Sequence, residues 1–511
     1  MNSPSIKKVA LLNDKDSVAL ALEDIPAGSR ISVGELVVKN SIPRGHKVAV
    51  KAHSEGDEVT KYAQVIGFAK TAISVGEHVH SHNCGVEDVE RDYDFCSDAQ
   101  RFTPDFSQAD RTFMGFKRAS GKVGTRNYIG ILTSVNCSAT VAKLIAEAVK
   151  ESGILKHYPN VDGVVPLVHG AGCCIKSDGE GYHNLQRTFM GYACHPNFAS
   201  VLMVGLGCEV MQISRMVEET GIVEGEEFRK LIIQDVGGTR KTVAAGVELI
   251  KAMLLTANEC KRTEQPVSEL TIALQCGGSD GYSGITANPA LGVAADLLVS
   301  AGGTVVLSET PEVYGAEHLL TRRAATLEAG QKLVERIKWW ENYAAKNGGE
   351  MDNNPTPGNK AGGLTTIFEK SLGAIAKAGT SPLMDVYLYS QKIDKKGFVL
   401  MDGPGYDPCA ITGQVASGST LVCFTTGRGS VFGYKPAPSI KLATNSSMYE
   451  KMEEDMDINC GDIIDQGISL QDKGREIFDV IVAVASGEAS KSELNGLGDN
   501  EFVPWQLGAQ M

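Results

Sequence analysis

Beyond residue 126, short apolar stretches alternate with stretches of helical periodicity. Stretches with the length and composition of buried strands lie at 161–168, 201–206, 270–274, 304–307 and 421–424. Apolar residues recur at helical spacing in the segments 242–256, 327–344 and 470–485. Parallel strands need a long crossover between them, usually a helix, so this alternation predicts parallel α/β layers.

The rest of the chain divides by composition. Short strands broken by turn signals fill residues 7–83 and predict a small β domain. The acidic stretch after it has no regular period and is interpreted as a linker. A second polar stretch, at 261–266, divides the α/β part. The predicted domains are therefore an N-terminal β domain at 1–86, the linker at 87–112, a second α/β domain at 113–265 and a C-terminal α/β domain at 266–511.

The composition excludes several classes of protein. With 511 residues the chain has room for about three domains. Its 62 acidic and 49 basic side chains give a formal charge of −13, which argues against nucleic acid or an anionic membrane as partner. No apolar run approaches the ~20 residues that span a bilayer, and the first residues lack the apolar core of a signal peptide. We expect a cytoplasmic protein with reduced thiols.

Three of the predicted strands end in a cysteine flanked by glycine, namely Cys173, Cys208 and Cys276. Ligands of parallel sheets bind at the carboxyl edge, where such loops meet, so we expect the three thiols to share a metal site. Thiolate suits iron, an iron–sulfur cluster or zinc, and the chain lacks the CxxC pair of ordinary structural zinc sites. The alternative is that each cysteine is a small buried apolar residue.

Three histidines stand at alternate positions, His78, His80 and His82. In an extended strand this spacing places the three imidazoles on one face, where they can bind a metal or an anionic substrate. An isolated histidine is usually an ordinary surface or core residue. The shared register favours a site.

The segment 276–289 combines glycines with hydroxyl, carboxylate and amide side chains, which suits a polyhydroxylated substrate. Its candidate residues are Ser279, Asp280, Thr286 and Asn288. Glu309 and Glu312 follow another predicted strand and suit metal binding or acid/base chemistry. Capping of the following turn is the alternative interpretation of these two carboxylates.

Basic side chains on three further loops are candidates for binding a carboxylate. Lys360 lies in the proline-rich loop 354–363 and is either a carboxylate ligand, a base or a solvent-exposed lysine. Arg428 follows a predicted strand and offers a guanidinium fork, and Arg126 is a second candidate of this kind. Phosphate loops, dinucleotide-binding glycine loops and HExxH zinc motifs are all missing from the sequence.

These motifs resemble those of the altronate/galactarate dehydratase family, from about residue 7 to the end. The segments 276–289, 354–363 and 425–429 carry the resemblance. It implies an N-terminal SAF (β-clip) domain, a second domain with dimer contacts, and a C-terminal domain with a Rossmann-like, mostly parallel sheet. It also implies a homodimeric enzyme that uses iron (Fe²⁺) to dehydrate a sugar acid.

The resemblance leaves the substrate open. Residues 77–83 are similar to altronate-type and sulfolactate-lyase-type members, and residues 314–317 are also altronate-like. The loop 172–181 is close to neither the altronate nor the galactarate form. The remaining alternatives are a lyase that expels sulfite from sulfolactate and a sugar-acid binding protein without catalysis.

Dehydration of a sugar acid removes the proton next to a carboxylate, stabilises an enediolate and expels the β-hydroxyl, which gives a 2-keto-3-deoxy acid. The catalytic candidates are Lys360, His169, Glu209, Asp280, Glu309 and Glu312. The substrate-binding candidates are His78, His80, His82, Arg126, Ser279, Thr286, Asn288, Asn359, Thr426 and Arg428. Iron, either mononuclear or in an iron–sulfur cluster, is assigned to Cys173, Cys208 and Cys276.

Overall fold

A computed structural model describes residues 6–34, 36–87, 91 and 93–508. The predicted fold class is confirmed, because a small N-terminal β domain precedes two α/β regions with parallel sheets. Residues 88–90 and 92 of the predicted linker lie outside the described residues. No described helix has both the length and the apolar character needed to cross a membrane.

Two small antiparallel sheets form the N-terminal domain. One has the strand order Val9–Ala10, Val18–Ala21, Lys47–Ala49 and His78–Val79. The other has the order Glu58–Lys61, Gln64–Ala69 and Cys84–Gly85. Val48 pairs with His78 in the first sheet. This pairing places the turn before strand Lys47–Ala49 beside the histidines at strand His78–Val79.

The second region is built on a parallel sheet with the strand order Gly163–Leu167, Tyr128–Thr133, Phe198–Gly205 and Phe228–Ile232. Its helices are Ala139–Glu151, Glu180–Ala193, Ile213–Thr220, Ile233–Val236 and Thr239–Glu259. Alternate residues of the strand Tyr128–Thr133 face opposite sides: Ile129 packs with one group of helices and Leu132 with the other. This period of two explains why the whole strand is apolar, since both faces of the sheet are covered.

The two ends of the second region lie side by side. Its entering strand Thr112–Lys117 pairs with Thr263–Pro266, which leaves the region, and with Val123–Gly124. Both pairings are antiparallel. A small antiparallel sheet therefore brings the entry and the exit of the region together.

The C-terminal region contains a parallel sheet of seven strands, in the order Leu383–Tyr387, Gly397–Met401, Thr304–Leu307, Thr271–Cys276, Leu421–Thr426, Ser439–Ala443 and Ile458–Asn459. The helices of this region are Ala287–Ser300, Glu317–Arg322, Leu327–Lys346, Pro357–Ala361, Ile367–Ala374, Asp407–Ala416, Ser446–Lys451, Asp462–Asp465, Leu470–Ala485 and Lys491–Leu494. Helices Ala287–Ser300 and Leu470–Ala485 pack together on one face. All carboxyl ends of the strands lie at one edge, where the loops with polar residues begin.

A buried group of three charges joins the N-terminal domain to the C-terminal sheet. Glu369, in helix Ile367–Ala374, accepts hydrogen bonds from Lys47 Nζ at 2.8 Å and from Lys61 Nζ at 3.0 Å. Thr365 donates to the same carboxylate through its N–H and its hydroxyl. Burial would raise the pKa of Glu369, but the charges of Lys47 and Lys61 outweigh it and hold the pKa well below its usual range.

Replacing Glu369 should destabilise the protein strongly. In Glu369→Gln two ammonium groups stay buried without a counter-charge, and losing one partner of a buried ion pair costs about 3–5 kcal/mol. Because the pKa of Glu369 is lowered on folding, its contribution is present above the ordinary carboxyl pKa and is lost as the pH falls. Urea unfolding at intervals from pH 8 down to pH 2 measures both effects.

The matched control for this experiment is Glu328→Gln. Glu328 pairs with Lys332 at 3.0 Å on an exposed helix surface, where an ion pair contributes at most about 1 kcal/mol. A loss in Glu369→Gln no larger than in the control would contradict a stabilising role for the buried group.

Candidate functional site

The carboxyl edge of the C-terminal sheet meets the N-terminal domain at a very close backbone approach. A Cβ atom on Gly281 would lie 2.1 Å from the carbonyl oxygen of Gly45, and one on Gly363 would lie 2.0 Å from the same oxygen. Gly281 also donates its N–H to Gly362 O at 2.8 Å. Only glycine permits this contact, so these positions bring the two domains together around a shared space.

That space is a cavity of about 310 Å³ between the two domains. Arg44 comes from the N-terminal domain, and Asp280, Tyr282, Arg428 and Asn445 come from the C-terminal region. Arg44 donates to the Tyr282 hydroxyl at 2.9 Å, whereas the Arg428 guanidinium is exposed and has no hydrogen bond or ion pair among the described residues. The cavity therefore offers an unpaired guanidinium in a chain of net negative charge.

Asp280 is a buried carboxylate in the wall of this cavity. Its Oδ1 accepts hydrogen bonds from the N–H groups of Tyr282 and Ser283 and from the hydroxyl of Thr444 at 3.0 Å. Its Oδ2 accepts from Asn445 Nδ2 at 3.1 Å. Burial raises the pKa of Asp280 despite these hydrogen bonds. The side chain is held in one orientation with a carboxylate more basic than usual.

Three imidazoles lie beside the cavity, from His46, His78 and His80. Their candidate ligand nitrogens lie within 4.8 Å of one another, and His46 Nδ1 is 3.0 Å from His78 Nε2. His46 Nε2 lies 3.3 Å from the carbonyl oxygen of Ala361, which lines the cavity. Burial lowers the pKa of His78 to about 4 and that of His80 to about 3. The imidazoles are therefore neutral at neutral pH, which is the form that binds metals.

The structure corrects the predicted histidine set. Only His78 and Val79 are in a strand, and residues 80–83 form a turn, so the alternation does not continue. His82 is exposed, with its ring 5.4 Å from that of His78, while His46 takes the third place. His46 directly precedes a strand that the sequence predicts. The sequence does not show that this strand pairs with His78–Val79, and it is this pairing that brings His46 to the other histidines.

A second group of polar side chains is buried at the end of the C-terminal sheet. Ligand atoms of Cys276, Glu309 and Glu312 lie within 4.8 Å of one another. Lys377 Nζ lies 2.8 Å from Cys276 Sγ, and Lys370 Nζ lies 2.5 Å from Glu312 Oε1. Two ammonium groups thus already supply the positive charge that a metal would bring to this group.

The two carboxyl groups have different protonation states. Burial, and then the charge of Glu312, raise the pKa of Glu309 well above its ordinary value. Burial opposes ionisation of Glu312 as well, but Lys370 and Lys377 outweigh it and lower the pKa. Burial raises the pKa of Cys276 to about 12. Glu312 is therefore the ionised partner of the lysines, while Glu309 and Cys276 are neutral at physiological pH.

The expectation that three thiols share one metal site is wrong for Cys276. Cys276 is buried beside Lys377 and Glu312, at the end of a strand of the seven-stranded sheet. Cys173 and Cys208 are exposed and follow strands of the second region's separate sheet. A glycine-flanked cysteine after a strand has the same sequence pattern in either sheet. Each sheet has its own carboxyl edge, so the pattern does not show which cysteines lie together.

Two predicted catalytic residues and one predicted substrate ligand have structural contacts instead. His169 Nε2 lies 2.8 Å from Thr133 O, its Nδ1 accepts from the Ala171 N–H, and burial lowers its pKa to about 4. Glu209 accepts from Ser134 and from two backbone N–H groups of its own loop. Arg126 forms two 2.7 Å hydrogen bonds to Glu493 and donates to three backbone carbonyls. The ring nitrogens of His169 and the five N–H groups of Arg126 are all used in these contacts, and Glu209 is a buried carboxylate that holds its own loop.

The remaining predicted residues do not line the cavity, and most of them hold neighbouring loops in place. Asn359 caps helix Pro357–Ala361 and donates to Ser279 O at 2.9 Å. Lys360 is half-buried on the same helix. Thr286 donates to Thr444 O and Asn288 accepts from Thr425, which joins the segment after Cys276 to the neighbouring strands. Thr426 accepts from the Gly429 N–H within the loop that follows its own strand.

Several residues in or beside these groups were not predicted from the sequence, namely Arg44, His46, Lys370, Lys377, Asp407 and Asn445. Lys370 and Lys377 stand in segments of helical apolar character, where a buried lysine leaves no pattern. Burial raises the pKa of Asp407 to about 6. The sequence pattern does not distinguish Arg44 and Asn445, because each is a polar residue beside a turn and such residues are common.

The different protonation states of Glu309 and Glu312 lead to a paired prediction. Glu309→Gln replaces a neutral carboxyl with a neutral amide and should change the free energy of unfolding by about 1 kcal/mol or less. Glu312→Gln removes the counter-charge of Lys370 and should cost about 3–5 kcal/mol. Chemical denaturation of both variants measures the difference, and equal losses would contradict the assignment.

Family models match three successive parts of the chain. Residues 7–87 match the altronate/galactarate dehydratase SAF domain, residues 115–258 the D-galactarate dehydratase/altronate hydrolase second domain, and residues 267–510 the D-galactarate/altronate dehydratase C-terminal domain.

Three full-length relatives are similar over nearly the whole chain. Altronate dehydratase of Bacillus subtilis is 38% identical over 96% of this chain and 97% of its own length. Altronate dehydratase of Escherichia coli is 36% identical over 94% and 95%. The L-threo-forming galactarate dehydratase of Escherichia coli is 37% identical over 93% and 92%. On these matches and the shared domain order, the chain belongs to the altronate/galactarate dehydratase family.

Proposed function

We propose that the protein is a hydro-lyase that removes water from a sugar acid in the cavity between the N-terminal and C-terminal domains. The observation that carries the proposal is the unpaired Arg428 guanidinium in the same cavity as the buried carboxylate of Asp280. Relatives along the whole chain are altronate and galactarate dehydratases, which supports this class of reaction.

Arg428 is proposed to bind the substrate carboxylate. A guanidinium forms two parallel hydrogen bonds to a carboxylate and thereby fixes the orientation of the adjoining carbon atom. The close backbone contacts of Gly281 and Gly363 with Gly45 hold the two walls of the cavity at a set spacing. The substrate is thus positioned from its carboxylate end before any proton moves.

Asp280 is proposed to take the proton from the carbon next to that carboxylate. Burial raises its pKa, so the ionised carboxylate is a stronger base than an exposed aspartate. The hydrogen bonds to Oδ1 fix the side chain, and Oδ2, with a single donor from Asn445, is the oxygen that receives the proton. Loss of the β-hydroxyl then gives an enol, which becomes a 2-keto-3-deoxy acid.

The residues present fit the iron that the resemblance implies. His46, His78 and His80 would hold Fe²⁺, because all three are neutral and His80 Nδ1 is a buried nitrogen without a partner among the described residues. When bound, iron supplies a Lewis acid for a substrate oxygen. The group around Cys276 fits less well, because Lys370 and Lys377 already neutralise it.

Activity tests the proposal directly. The protein is incubated anaerobically with Fe²⁺ and a panel of altronate, galactarate and sulfolactate, and formation of a 2-keto-3-deoxy acid is measured. We expect turnover of a sugar acid. Arg428→Lys, which loses the bidentate contact, should raise KM by about tenfold or more while kcat changes less.

Arg475→Lys is the matched control, since Arg475 lies on helix Leu470–Ala485 with an exposed partner, Asp472. An unchanged KM in Arg428→Lys would exclude Arg428 from carboxylate binding. Release of sulfite from sulfolactate with no sugar-acid turnover would overturn the proposed reaction.

Metal binding has a separate test that does not depend on turnover. His78→Ala and His80→Ala should each weaken Fe²⁺ binding by about tenfold or more, measured by anaerobic calorimetry, because each removes a direct ligand. His82→Ala is the control, since this exposed histidine lies outside the group of three ligand nitrogens. Equal affinity in all three variants would contradict the proposed ligands.

A further inference from the structure

Four exposed cysteines lie at the carboxyl edge of the second region's parallel sheet. Cys137 follows strand Tyr128–Thr133, Cys173 and Cys174 follow Gly163–Leu167, and Cys208 follows Phe198–Gly205. These three strands are neighbours, with Tyr128–Thr133 in the centre. The loops that carry the thiols therefore begin side by side.

Backbone hydrogen bonds tie these loops together next to the cysteines. The Asn136 N–H donates to Ala171 O at 3.0 Å, and the Asn136 side chain donates to His169 O at 3.1 Å. The Val210 N–H donates to Cys173 O at 3.1 Å. Asn136, Ala171 and Val210 are each within two positions of a cysteine, so the three loops are joined close to their thiols.

Two of the four sulfur atoms are in contact. Cys173 Sγ and Cys174 Sγ lie 3.5 Å apart. Cysteine sulfur is a soft ligand that suits iron and iron–sulfur clusters, so thiols gathered at one edge are candidate ligands for such a group.

The surrounding residues fix the shape of these loops. The buried carboxylate of Glu209 accepts from Ser134 Oγ at 2.7 Å and from the Gly207 N–H at 2.6 Å, just beside Cys208. Gly172 has a φ of +100°, and a Cβ there would lie 2.1 Å from Ser134 O. This close packing positions exposed thiols rather than burying them, although cysteine is among the most buried residue types in proteins.

The spacing of the thiols distinguishes between two kinds of ligand. Among the described residues, no three of these sulfur atoms lie within 4.8 Å of one another. A single tetrahedral ion with metal–sulfur bonds of about 2.3 Å needs its sulfur ligands about 4 Å apart. An iron–sulfur cluster places iron and sulfide between its thiolates and so accepts a wider separation.

We propose that Cys137, Cys173, Cys174 and Cys208 bind an iron–sulfur cluster at the carboxyl edge of the second region's sheet. Four cysteine thiolates are the usual ligand set of such clusters. The site is on a different sheet from the dehydration cavity, and none of its cysteines lines that cavity. It therefore stands independently of the proposed Fe²⁺ site at His46, His78 and His80.

The test measures iron and acid-labile sulfide in the full-length protein. The protein is purified anaerobically and reconstituted with ferrous and ferric salts and sulfide, so that both oxidation states are supplied. We expect iron and labile sulfide in equal amounts at this site, visible charge-transfer absorption that bleaches with dithionite, and loss of these properties in Cys137→Ser, Cys173→Ser and Cys208→Ser.

Cys194→Ser is the matched control, because Cys194 is also exposed but lies at the end of helix Glu180–Ala193, away from this edge. It should keep the full sulfide content. Far-ultraviolet circular dichroism of each variant against chelator-treated wild type checks folding. Wild-type protein with zinc alone, or with iron but no labile sulfide, would overturn the proposal, as would full sulfide content in the three variants.

A failed sulfide analysis leaves the dehydratase proposal intact, because that proposal rests on Arg428, Asp280 and the three histidines. His78→Ala changes only the proposed Fe²⁺ site, so it should lose mononuclear iron and keep labile sulfide. The two proposals are therefore separated by the measured ratio of sulfide to iron.

Discussion

The buried contact of Glu369 with Lys47 and Lys61 is the interaction on which the candidate site depends. It attaches helix Ile367–Ala374 to the N-terminal domain, and Lys47 also donates to Gly363 O at 2.6 Å. That carbonyl belongs to the segment that lines the cavity and contacts His46. One carboxylate therefore holds together the two domains, the cavity wall and the histidine group. A hydrophobic contact would bury the same area but would not fix these backbone positions as narrowly.

The parallel α/β architecture was predictable because it follows from a local pattern. Strands covered on both faces must be apolar throughout, and the stretches that became Phe198–Gly205 and Leu421–Thr426 show this clearly. Glycine-flanked residues after these strands also identified the correct edge of each sheet. What the pattern does not contain is which sheet a strand joins, and this is why Cys276 was grouped with thiols of another sheet.

The site was predictable in part for the same reason. Asp280 and Arg428 follow adjacent strands, so their proximity comes from strand order. His46 and Arg44 come from a distant part of the chain and reach the site only through the docking of the N-terminal domain. Arg126 shows the opposite error: a guanidinium beside a turn has the same sequence appearance whether it binds a ligand or Glu493. Pairing of charges across domains is a tertiary property.

The cavity has one wall on each of two domains, with Arg44 on one and Asp280 and Arg428 on the other. The distance between the walls is set by three glycines and one buried ion group rather than by the groups that would react. A slight rotation of the small β domain would lengthen or shorten the space without moving Asp280 relative to Arg428. Substitutions at the domain contact can thus change the size of this space while Asp280 and Arg428 keep their relative positions.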